Sequence, residues 1–322
     1  MTPNEATDLA TGVREGEVRA VARAISAVED DPLGARPLLE ALFPHAGEAL
    51  VLGVTGPPGG GKSTLVDQIT RHLRGSRKTV GVIAVDPTSP FSGGAILGDR
   101  IRMQSHATDP GTFIRSMATR GHLGGLAAAT RHVITVLAAS GKDVVIVETV
   151  GVGQGEVDVA GTADVSLVVL VPGLGDEVQA LKAGIMEIAD VFVVNKADRD
   201  GVDRVFSEIE SMLSMAESDA HRPEIVRTIA TGGVGIDELM AAIYRFRDSA
   251  TASGFLEKKR RAHLRRLLED TIQERLARRV GDELDQEEAR QTVDRLVSRE
   301  IDPFSASDRI FEKIGLPIGG KK

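Results

Sequence analysis

The sequence contains no cysteine and no tryptophan, and only 3% of its residues are aromatic. Without cysteine there can be no disulfide bond and no thiolate metal ligand, which agrees with a reducing cytoplasm. Long apolar runs are also missing, since none approaches the ~18 residues that a membrane-spanning helix needs. The first residues lack the charged and then apolar pattern of a signal peptide. We therefore expect a cytoplasmic protein whose core consists of aliphatic side chains.

An excess of positive charge is absent as well. The 322 residues carry a formal net charge of −8. Such a chain is not attracted as a whole to nucleic acid or to an anionic membrane, so we expect neither of them as a partner. The length exceeds that of one average domain and allows one large α/β domain with helical additions.

The hydrophobic pattern divides the chain into three parts. Residues 1–47 have apolar side chains at helical spacing and predict an N-terminal helical arm, and residues 251–322 become helical again. Residues 48–250 alternate short β-branched runs with amphipathic segments, which is typical of βα units and a mostly parallel sheet flanked by helices. The predicted strands are Leu50 to Val54, Val80 to Val85, Val144 to Val147, Val165 to Val171, and Val191 to Val194.

The most specific motif directly follows the first predicted strand. Residues 56–63 read Gly-Pro-Pro-Gly-Gly-Gly-Lys-Ser, which matches the P-loop pattern, and a helix is predicted from Thr64 to Leu73. Glycines let successive backbone N–H groups point at phosphate oxygens, and the helix N-terminus adds positive potential. Lys62 is predicted to contact the β and γ phosphates, and Ser63 to bind Mg²⁺. We predict a P-loop NTPase fold.

A second motif follows the last predicted strand and resembles the guanine-reading Asn-Lys-x-Asp sequence of GTPases. It consists of Asn195, Lys196, Ala197 and Asp198. The carboxylate of Asp198 can accept hydrogen bonds from guanine N1–H and from its exocyclic amine, and adenine offers neither donor there. An ordinary helix cap is the alternative for the tetrapeptide alone. Together with the P-loop it predicts GTP, not ATP, as the nucleotide.

An acidic residue ends the strand between these motifs. Glu148 occupies the position of a Walker B carboxylate, and Gly151 resembles the glycine whose N–H senses the γ-phosphate. Small G proteins carry next to this glycine a glutamine that orients the attacking water, where this chain has Val152. Because an aliphatic side chain cannot hold water, we expect slow intrinsic hydrolysis unless a partner or another residue completes the site.

Several further segments have two open interpretations. Asp86 and Asp99 are candidates for the magnesium shell, or they are ordinary turn or cap residues. The segment 172–182 joins a strand to a helix and is either functional or simply capped by Asp176. Residues Arg115 to Gly125 form a glycine-rich loop without obvious chemistry. The basic C-terminal helix around residues 258–280 either binds nucleic acid or membrane, or it packs on its own domain or a second subunit; its acidic residues favour packing.

Taken together, these motifs resemble the MeaB/ArgK family, the GTPases associated with adenosylcobalamin-dependent methylmalonyl-CoA mutase. The resemblance rests on residues 56–64, 86–100, 115–125, 148–154 and 195–198 and covers most of the chain. It implies a homodimeric chaperone that hydrolyses GTP, gates transfer of cobalamin from an adenosyltransferase to the mutase, and protects the mutase. By the same resemblance, residues 173–182 form an extra switch, in which Lys182 stabilises charge on the γ-phosphate or contacts the partner.

The candidate site residues fall into three groups. The residues predicted to be catalytic are Lys62, Glu148 and Lys182. Those predicted to bind the nucleotide are Gly56, Gly59, Gly60, Gly61, Lys62, Ser63, Thr64, Gly151, Asn195, Lys196 and Asp198. Those predicted to bind Mg²⁺ are Ser63, Asp86, Asp99 and Glu148.

Two other functions compete with the mutase chaperone. One is a kinase linked to arginine and ornithine transport, but the sequence has no evident site for a second substrate. The other is a metal-delivery GTPase, whose relatives carry motifs rich in Cys or His. This chain has no cysteine and seven scattered histidines, which gives a transition-metal site little support.

Overall fold

A computed structural model describes residues 1–47, 49–86, 106, 108–118, 125–149, 161–173, 188–215 and 222–316. The chain forms two compact units, Met1–Arg265 and Arg266–Lys322. The boundaries at residues 47 and 250, which separate the helical ends from the GTPase segment, stay a prediction. Among the described helices, none is long and apolar enough to cross a membrane.

The first unit is built on a seven-stranded sheet in which every neighbouring pair of strands is parallel. The strand order is β3-β2-β4-β1-β5-β6-β7. The predicted parallel α/β fold is therefore confirmed. The strands are β1 (Leu50–Thr55), β2 (Val80–Asp86), β3 (Thr112–Ala118), β4 (Val144–Thr149), β5 (Val165–Leu170), β6 (Val191–Asn195) and β7 (Glu224–Thr228).

Helices cover both faces of the sheet, and helices also occupy both ends of the chain. The α-helices among the described residues are α1 (Pro3–Arg14), α2 (Val18–Asp30), α3 (Arg36–Leu42), α4 (Lys62–Gly75), α5 (Gly125–Ala139), α6 (Val202–Met215), α7 (Ile236–Ala252), α8 (Phe255–Leu284), α9 (Glu287–Val297) and α10 (Pro303–Lys313). Helix α1 begins with a capping box between Thr2 and Glu5.

The alternation of side chains along each strand separates two large cores. On β4, Val144 and Ile146 join a core with α4 and α7, whereas Val145 and Val147 face the opposite side. That opposite core contains α5 together with the three N-terminal helices. The N-terminal helices therefore share one hydrophobic core with the sheet.

Two strands were absent from the sequence-based prediction. The glycine-rich pattern predicts a loop over Arg115 to Gly125, but the chain is a strand up to Ala118, and Gly125 begins α5. Arg115 interrupts the apolar pattern of this edge strand because its guanidinium pairs with buried Glu29 of α2 and donates to Ser26 Oγ over 3.2 Å. Strand β7 was missed because an edge strand with exposed polar residues lacks a continuous apolar run.

Helix α8 begins at the amino-terminal edge of the sheet, opposite the P-loop. Arg260 makes two hydrogen bonds of 2.7 and 2.8 Å to the buried carboxylate of Asp164, and Lys259 Nζ lies 2.5 Å from Asp190 Oδ2. Each aspartate precedes a strand and accepts the N–H of the adjacent strand, at 3.0 Å from Val51 and 2.7 Å from Ser166. We call these two ion pairs the α8 clamp.

The second unit contains the C-terminal part of α8 with α9 and α10. Lys313 lies 3.6 Å from Glu283 and also pairs with Glu288, which links the three helices. Many large apolar side chains of this unit are exposed: Leu268, Ile272, Leu276, Leu284, Val293, Val297, Phe304 and Phe311. A groove of about 310 Å³ is lined by Ile272, Arg275, Leu276, Arg279, Ile314 and Leu316.

Candidate functional site

The strand order places β1 at the centre of the sheet, between β4 and β5. The chain continues from β1 to β2 on one side, and it reaches β5 and β6 on the other side. Open parallel sheets bind ligands beyond the carboxyl ends of strands where the order reverses in this way. The end of β1, where the predicted P-loop begins, therefore lies at the expected position for a ligand.

The glycines of this loop are required by its backbone. Gly56 has φ of +140°, and a Cβ there would lie 2.1 Å from the carbonyl oxygen of Val169 in β5. Gly61 has φ of +83°, and a Cβ there would lie 2.5 Å from Asn195 Nδ2. Both positions combine a backbone conformation that favours glycine with a close neighbour. The loop thus packs directly against β5 and against the guanine motif.

Lys62 is the first residue of α4, so its side chain starts at the positive end of the helix dipole. Its Nζ donates to the carbonyl oxygens of Gly56 over 2.7 Å and Pro57 over 3.0 Å, and the side chain is buried. The ammonium group is therefore held inside the curl of the loop. An anion at the N-terminus of α4 would meet both this charge and the N–H groups that point out of the start of the helix.

The next residue, Ser63, contacts the acidic residue predicted at the end of β4. Ser63 Oγ donates to Glu148 Oε1 over 2.6 Å, and both residues are buried. Mg²⁺ prefers oxygen ligands and is usually held by one or two carboxylates together with phosphates and water. A hydroxyl and a carboxylate within one hydrogen bond, beside a phosphate-binding loop, fit that preference.

The predicted guanine motif is hydrogen-bonded to the P-loop. Asn195 Nδ2 donates to the carbonyl oxygen of Gly60 over 2.9 Å, and Lys196 Nζ donates to that of Gly59 over 2.6 Å. Lys196 has φ of +57°, a left-handed conformation that is uncommon outside glycine. Asp198 is exposed to solvent at the same edge of the sheet. The two motifs are distant in the sequence, but these hydrogen bonds join them into one continuous site.

Two residues of this site were missed by the sequence-based prediction. The side-chain oxygen of Asn195 accepts hydrogen bonds from Thr228 Oγ1 and from the backbone N–H of Ala230, both over 3.1 Å. Thr228 ends β7, and Ala230 begins a short 3₁₀ turn. These residues lie beside Asn195 because β7 pairs with β6, with Thr228 opposite Asn195. A recognised β7 would have been the only signal, since neither residue has a distinctive motif around it.

Some predicted site residues lie outside the described part of the chain. These are Asp99, Gly151, Lys182 and the neighbouring Val152, Asp176 and Gln179. Asp86 is described only by its backbone, which ends β2. Because β2 pairs with β4, the end of β2 lies next to the strand that carries Glu148.

Transition-metal clusters are absent from the part of the chain that the structure describes. There, no group of three or more His, Asp or Glu side chains is placed to hold a metal ion. One buried histidine, His106, lies 3.1 Å from the carboxylate of Asp67 on α4, as an ion pair or hydrogen bond within the protein.

Comparison with known proteins gives consistent results over nearly the whole chain. The family model described as Methylmalonyl Co-A mutase-associated GTPase MeaB matches residues 21–285. A Pyrococcus abyssi protein is 49% identical over 318 residues, which cover 97% of each chain. GTPase ArgK of Escherichia coli is 40% identical over 269 residues, covering 80% of this chain and 81% of that protein.

A mouse protein and a solved structure extend the comparison. The mitochondrial methylmalonic aciduria type A homolog of Mus musculus is 35% identical over 285 residues, covering 83% of this chain and 69% of that protein. The crystal structure of an LAO/AO transport system kinase has a TM-score of 0.71 and 30% identity, covering 98% of this chain and 99% of that one. The similarity therefore extends to both helical ends of the chain.

Proposed function

Because this chain belongs to the family of methylmalonyl-CoA mutase-associated GTPases (MeaB), and is a GTPase, we propose that it serves an adenosylcobalamin-dependent acyl-CoA mutase. In this proposal GTP hydrolysis gates delivery of cobalamin from an adenosyltransferase and protects the mutase, for which methylmalonyl-CoA is the expected substrate. The observation that carries the nucleotide part is the direct hydrogen bonding of Asn195 and Lys196 to the P-loop. The family's name supports the partner.

The phosphates are bound by Gly56 to Thr64. Backbone N–H groups of the loop and of the first turn of α4 donate to phosphate oxygens, and Lys62 leaves its carbonyl partners for the β and γ phosphates. Ser63 and Glu148 would hold Mg²⁺, with Asp86 and Asp99 as further candidates. At this site Mg²⁺ would supply neutralisation of phosphate charge for transfer of the γ-phosphoryl group to water.

The base is bound by the second motif. Asp198 accepts hydrogen bonds from guanine N1–H and from the exocyclic amine, and Asn195 is fixed beside it by bonds to three neighbours. Because Asn195 also holds Gly60, a bound base and bound phosphates stabilise the same arrangement of the loop. Adenine lacks the two donors, so ATP leaves the Asp198 carboxylate unpaired.

Hydrolysis in the isolated protein is slow in this proposal. Val152 follows Gly151 where small G proteins have glutamine, and an aliphatic side chain does not orient water. The mutase supplies the missing stabilisation in one of two ways. Either Lys182 moves toward the γ-phosphate when the mutase binds, or Lys182 contacts the mutase itself. Completion of such a site by a partner is worth roughly 10³ to 10⁵ in rate.

The protein acts as a homodimer in this proposal, through the second unit. Its exposed apolar side chains, such as Leu276 and Phe304, are more numerous than a small free-standing unit usually leaves in water. The apolar groove beside Ile272 adds a concave surface to the same unit. Chromatography with light scattering measures the dimer, and a monomer at micromolar concentration would contradict this part.

The test of the partnership is single-turnover GTP hydrolysis with and without a purified adenosylcobalamin-dependent mutase. The wild type should be slow alone and accelerated by the mutase. Lys182→Ala should keep GDP affinity and the slow basal rate but lose most of the acceleration. Lys62→Ala should be inactive in both conditions, which controls for contaminating GTPases.

Each arm of this experiment addresses a different part of the proposal. Full stimulation of Lys182→Ala would remove the role of Lys182 alone. If no cobalamin-dependent mutase accelerates the wild type, the partnership is wrong although the GTPase activity stands. If labelled phosphate moved from GTP to arginine or ornithine, the kinase alternative would replace it.

A further inference from the structure

A pair of buried hydroxyl groups lies directly under the proposed nucleotide site. Thr149 Oγ1 donates to Thr55 Oγ1 over 3.0 Å, and only 4% and 1% of the two residues are exposed. Thr55 is the last residue of β1 and precedes Gly56, the start of the P-loop. Thr149 is the last residue of β4 and follows Glu148. The contact therefore joins the ends of the two strands that carry the phosphate loop and the acidic residue.

The backbone hydrogen-bond ladder between these strands stops just before the two threonines. The last paired residues of β1 and β4 are Val54 and Glu148. The next residue of β1, Thr55, pairs instead with Val168 of β5 on the other side. The hydroxyl contact thus links β1 and β4 one residue beyond their last backbone pair. At this point the two strands end.

Glu148 and Thr149 point to opposite faces of the sheet because successive side chains of a strand alternate. On the face that α4 covers, the Glu148 carboxylate accepts the hydrogen bond from Ser63 Oγ. On the other face, Thr149 is held by Thr55. The end of β4 is therefore fastened on both faces, once to the P-loop helix and once to the strand before the P-loop.

We propose that Thr149 and Thr55 are positioning residues for magnesium, because their hydroxyl contact fixes the end of β4 and thereby the direction of the Glu148 carboxylate toward Ser63. The inference rests on the proposed magnesium site. Neither threonine touches the ion or the nucleotide. Partners that orient a metal ligand from behind typically contribute 10- to 100-fold to metal affinity.

The threonine pair allows a structural role to be separated from a positioning role. Thr149→Val keeps the shape of the side chain but leaves the buried hydroxyl of Thr55 without this partner, so a lower Tm is expected. The double variant Thr55→Val/Thr149→Val removes both hydroxyl groups, and replacing both partners by apolar groups of similar shape is nearly neutral for stability. Thr149→Ser retains the hydroxyl and should behave like the wild type.

The experiment measures the affinity for a fluorescent GDP analogue as a function of Mg²⁺ concentration, together with Tm, on the full chain. For the wild type, Mg²⁺ should increase GDP affinity with a defined half-effect concentration. In the double variant, with Tm near that of the wild type, we expect this concentration to rise about tenfold, while the affinity measured in EDTA stays unchanged. Thr149→Ser, which retains the hydroxyl group, should keep the half-effect concentration of the wild type.

Three results would overturn the inference in distinguishable ways. A double variant with the wild-type half-effect concentration would leave the pair with a structural role only. A wild-type protein whose GDP affinity does not depend on Mg²⁺ would remove the proposed magnesium site together with the inference. A loss of affinity in EDTA as large as that in Mg²⁺ would also contradict it, since the pair would then support the phosphate loop and not the carboxylate.

Discussion

At the scale of single residues, Asn195 connects more parts of the site than any motif assignment implied. Its amide nitrogen holds Gly60 of the P-loop, and its amide oxygen accepts from Thr228 and from the N–H of Ala230. Three separate segments of the chain, the P-loop, the end of β6 and residues 228–230, therefore meet at one buried side chain. Asp198, three residues later, remains exposed to solvent, as expected for a carboxylate that binds the edge of a base.

Asp198→Asn should weaken GDP and GTP binding by ~100-fold or more, because the amide presents a donor to the donors of guanine. Xanthine nucleotides, whose extra oxygen accepts from an amide, should bind better than guanine nucleotides. Calorimetry with GDP, XDP and ADP measures the change, and Asp200→Asn, two residues away and also exposed, is the matched control. Equal affinity of the wild type for ADP and GDP would contradict the assignment of the base site.

His263 of α8 has an unusual protonation equilibrium. Burial, and secondly the nearby Lys259, lower its pKa from 6.5 to about 4, although Asp164 acts in the opposite direction. The unfolded chain therefore binds a proton between pH 6.5 and 4 that the folded chain does not. By linkage, His263 does not change the free energy of unfolding above pH 6.5, and it lowers this free energy as the pH falls toward 4.

His263→Gln should reduce this acid destabilisation by about 2 kcal/mol between pH 6.5 and 4, after allowing for solvent screening of a partly exposed group. Urea unfolding at several pH values measures it, and His45→Gln, at an exposed position, is the control. The same pH dependence in His263→Gln and in the wild type would show that His263 does not titrate in this way.

At the scale of elements, the first turns of α8 pair with two aspartates at the amino-terminal edge of the sheet. Asp164 and Asp190 each follow an alanine and precede a valine that starts a strand, so Ala-Asp-Val occurs at the entry of both β5 and β6. Each carboxylate accepts a backbone N–H of the adjacent strand and faces a cation of α8. The α8 clamp therefore neutralises the two aspartates that are buried at the entries of β5 and β6.

Arg260→Met should lower the free energy of unfolding by about 2 kcal/mol, because it removes the guanidinium that faces buried Asp164; the full cost of breaking a buried pair is reduced by the partial exposure of Arg260. Arg261→Met is the matched control, since this neighbouring arginine is 83% exposed and pairs with exposed Glu257. Exposed pairs of this kind contribute about 0.5 kcal/mol or less. Urea midpoints at constant m-value provide the measurement, and equal effects of both variants would contradict the clamp.

At the scale of the whole molecule, the position of the clamp bears on where the GTPase part of the chain ends. A boundary at residue 250 would separate Lys259 and Arg260 from Asp190 and Asp164, the buried aspartates at the strand entries with which they pair. The compact unit that contains the sheet extends to Arg265. The first turns of α8 therefore belong with the sheet, and the exposed apolar side chains follow later in the same helix.

Truncation tests this boundary. A chain of residues 1–265 should unfold cooperatively and bind GDP with nearly the affinity of the full chain, because it retains the clamp. A chain of residues 1–250 should lose roughly 3 kcal/mol or more in stability, since two buried carboxylates lose their cations. Thermal unfolding with and without GDP compares the two chains. If residues 1–250 are as stable as residues 1–265, the GTPase domain ends at 250, as the sequence pattern predicts.

The sequence by itself was sufficient for the parallel α/β fold and the nucleotide class. The apolar runs of β1, β4, β5 and β6 are buried on both faces, so their signal does not depend on neighbours. The P-loop and the guanine motif are local sequences, in which glycine at positions 56 and 61 is required by the backbone itself. Short-range geometry of this kind is encoded within a few residues.

Contacts between distant segments were decided only by the tertiary structure. A charged residue, Arg115, is tolerated within a strand because Glu29, 86 residues earlier, neutralises its charge. Ala230 belongs to the site because β7 pairs with β6, and Thr149 meets Thr55 because β4 pairs with β1. Lys259 and Arg260 are indistinguishable in the sequence from the exposed Lys258 and Arg261 beside them. Which member of such a charge run is buried depends on the strand ends that the helix meets, and those are fixed only when the sheet has formed.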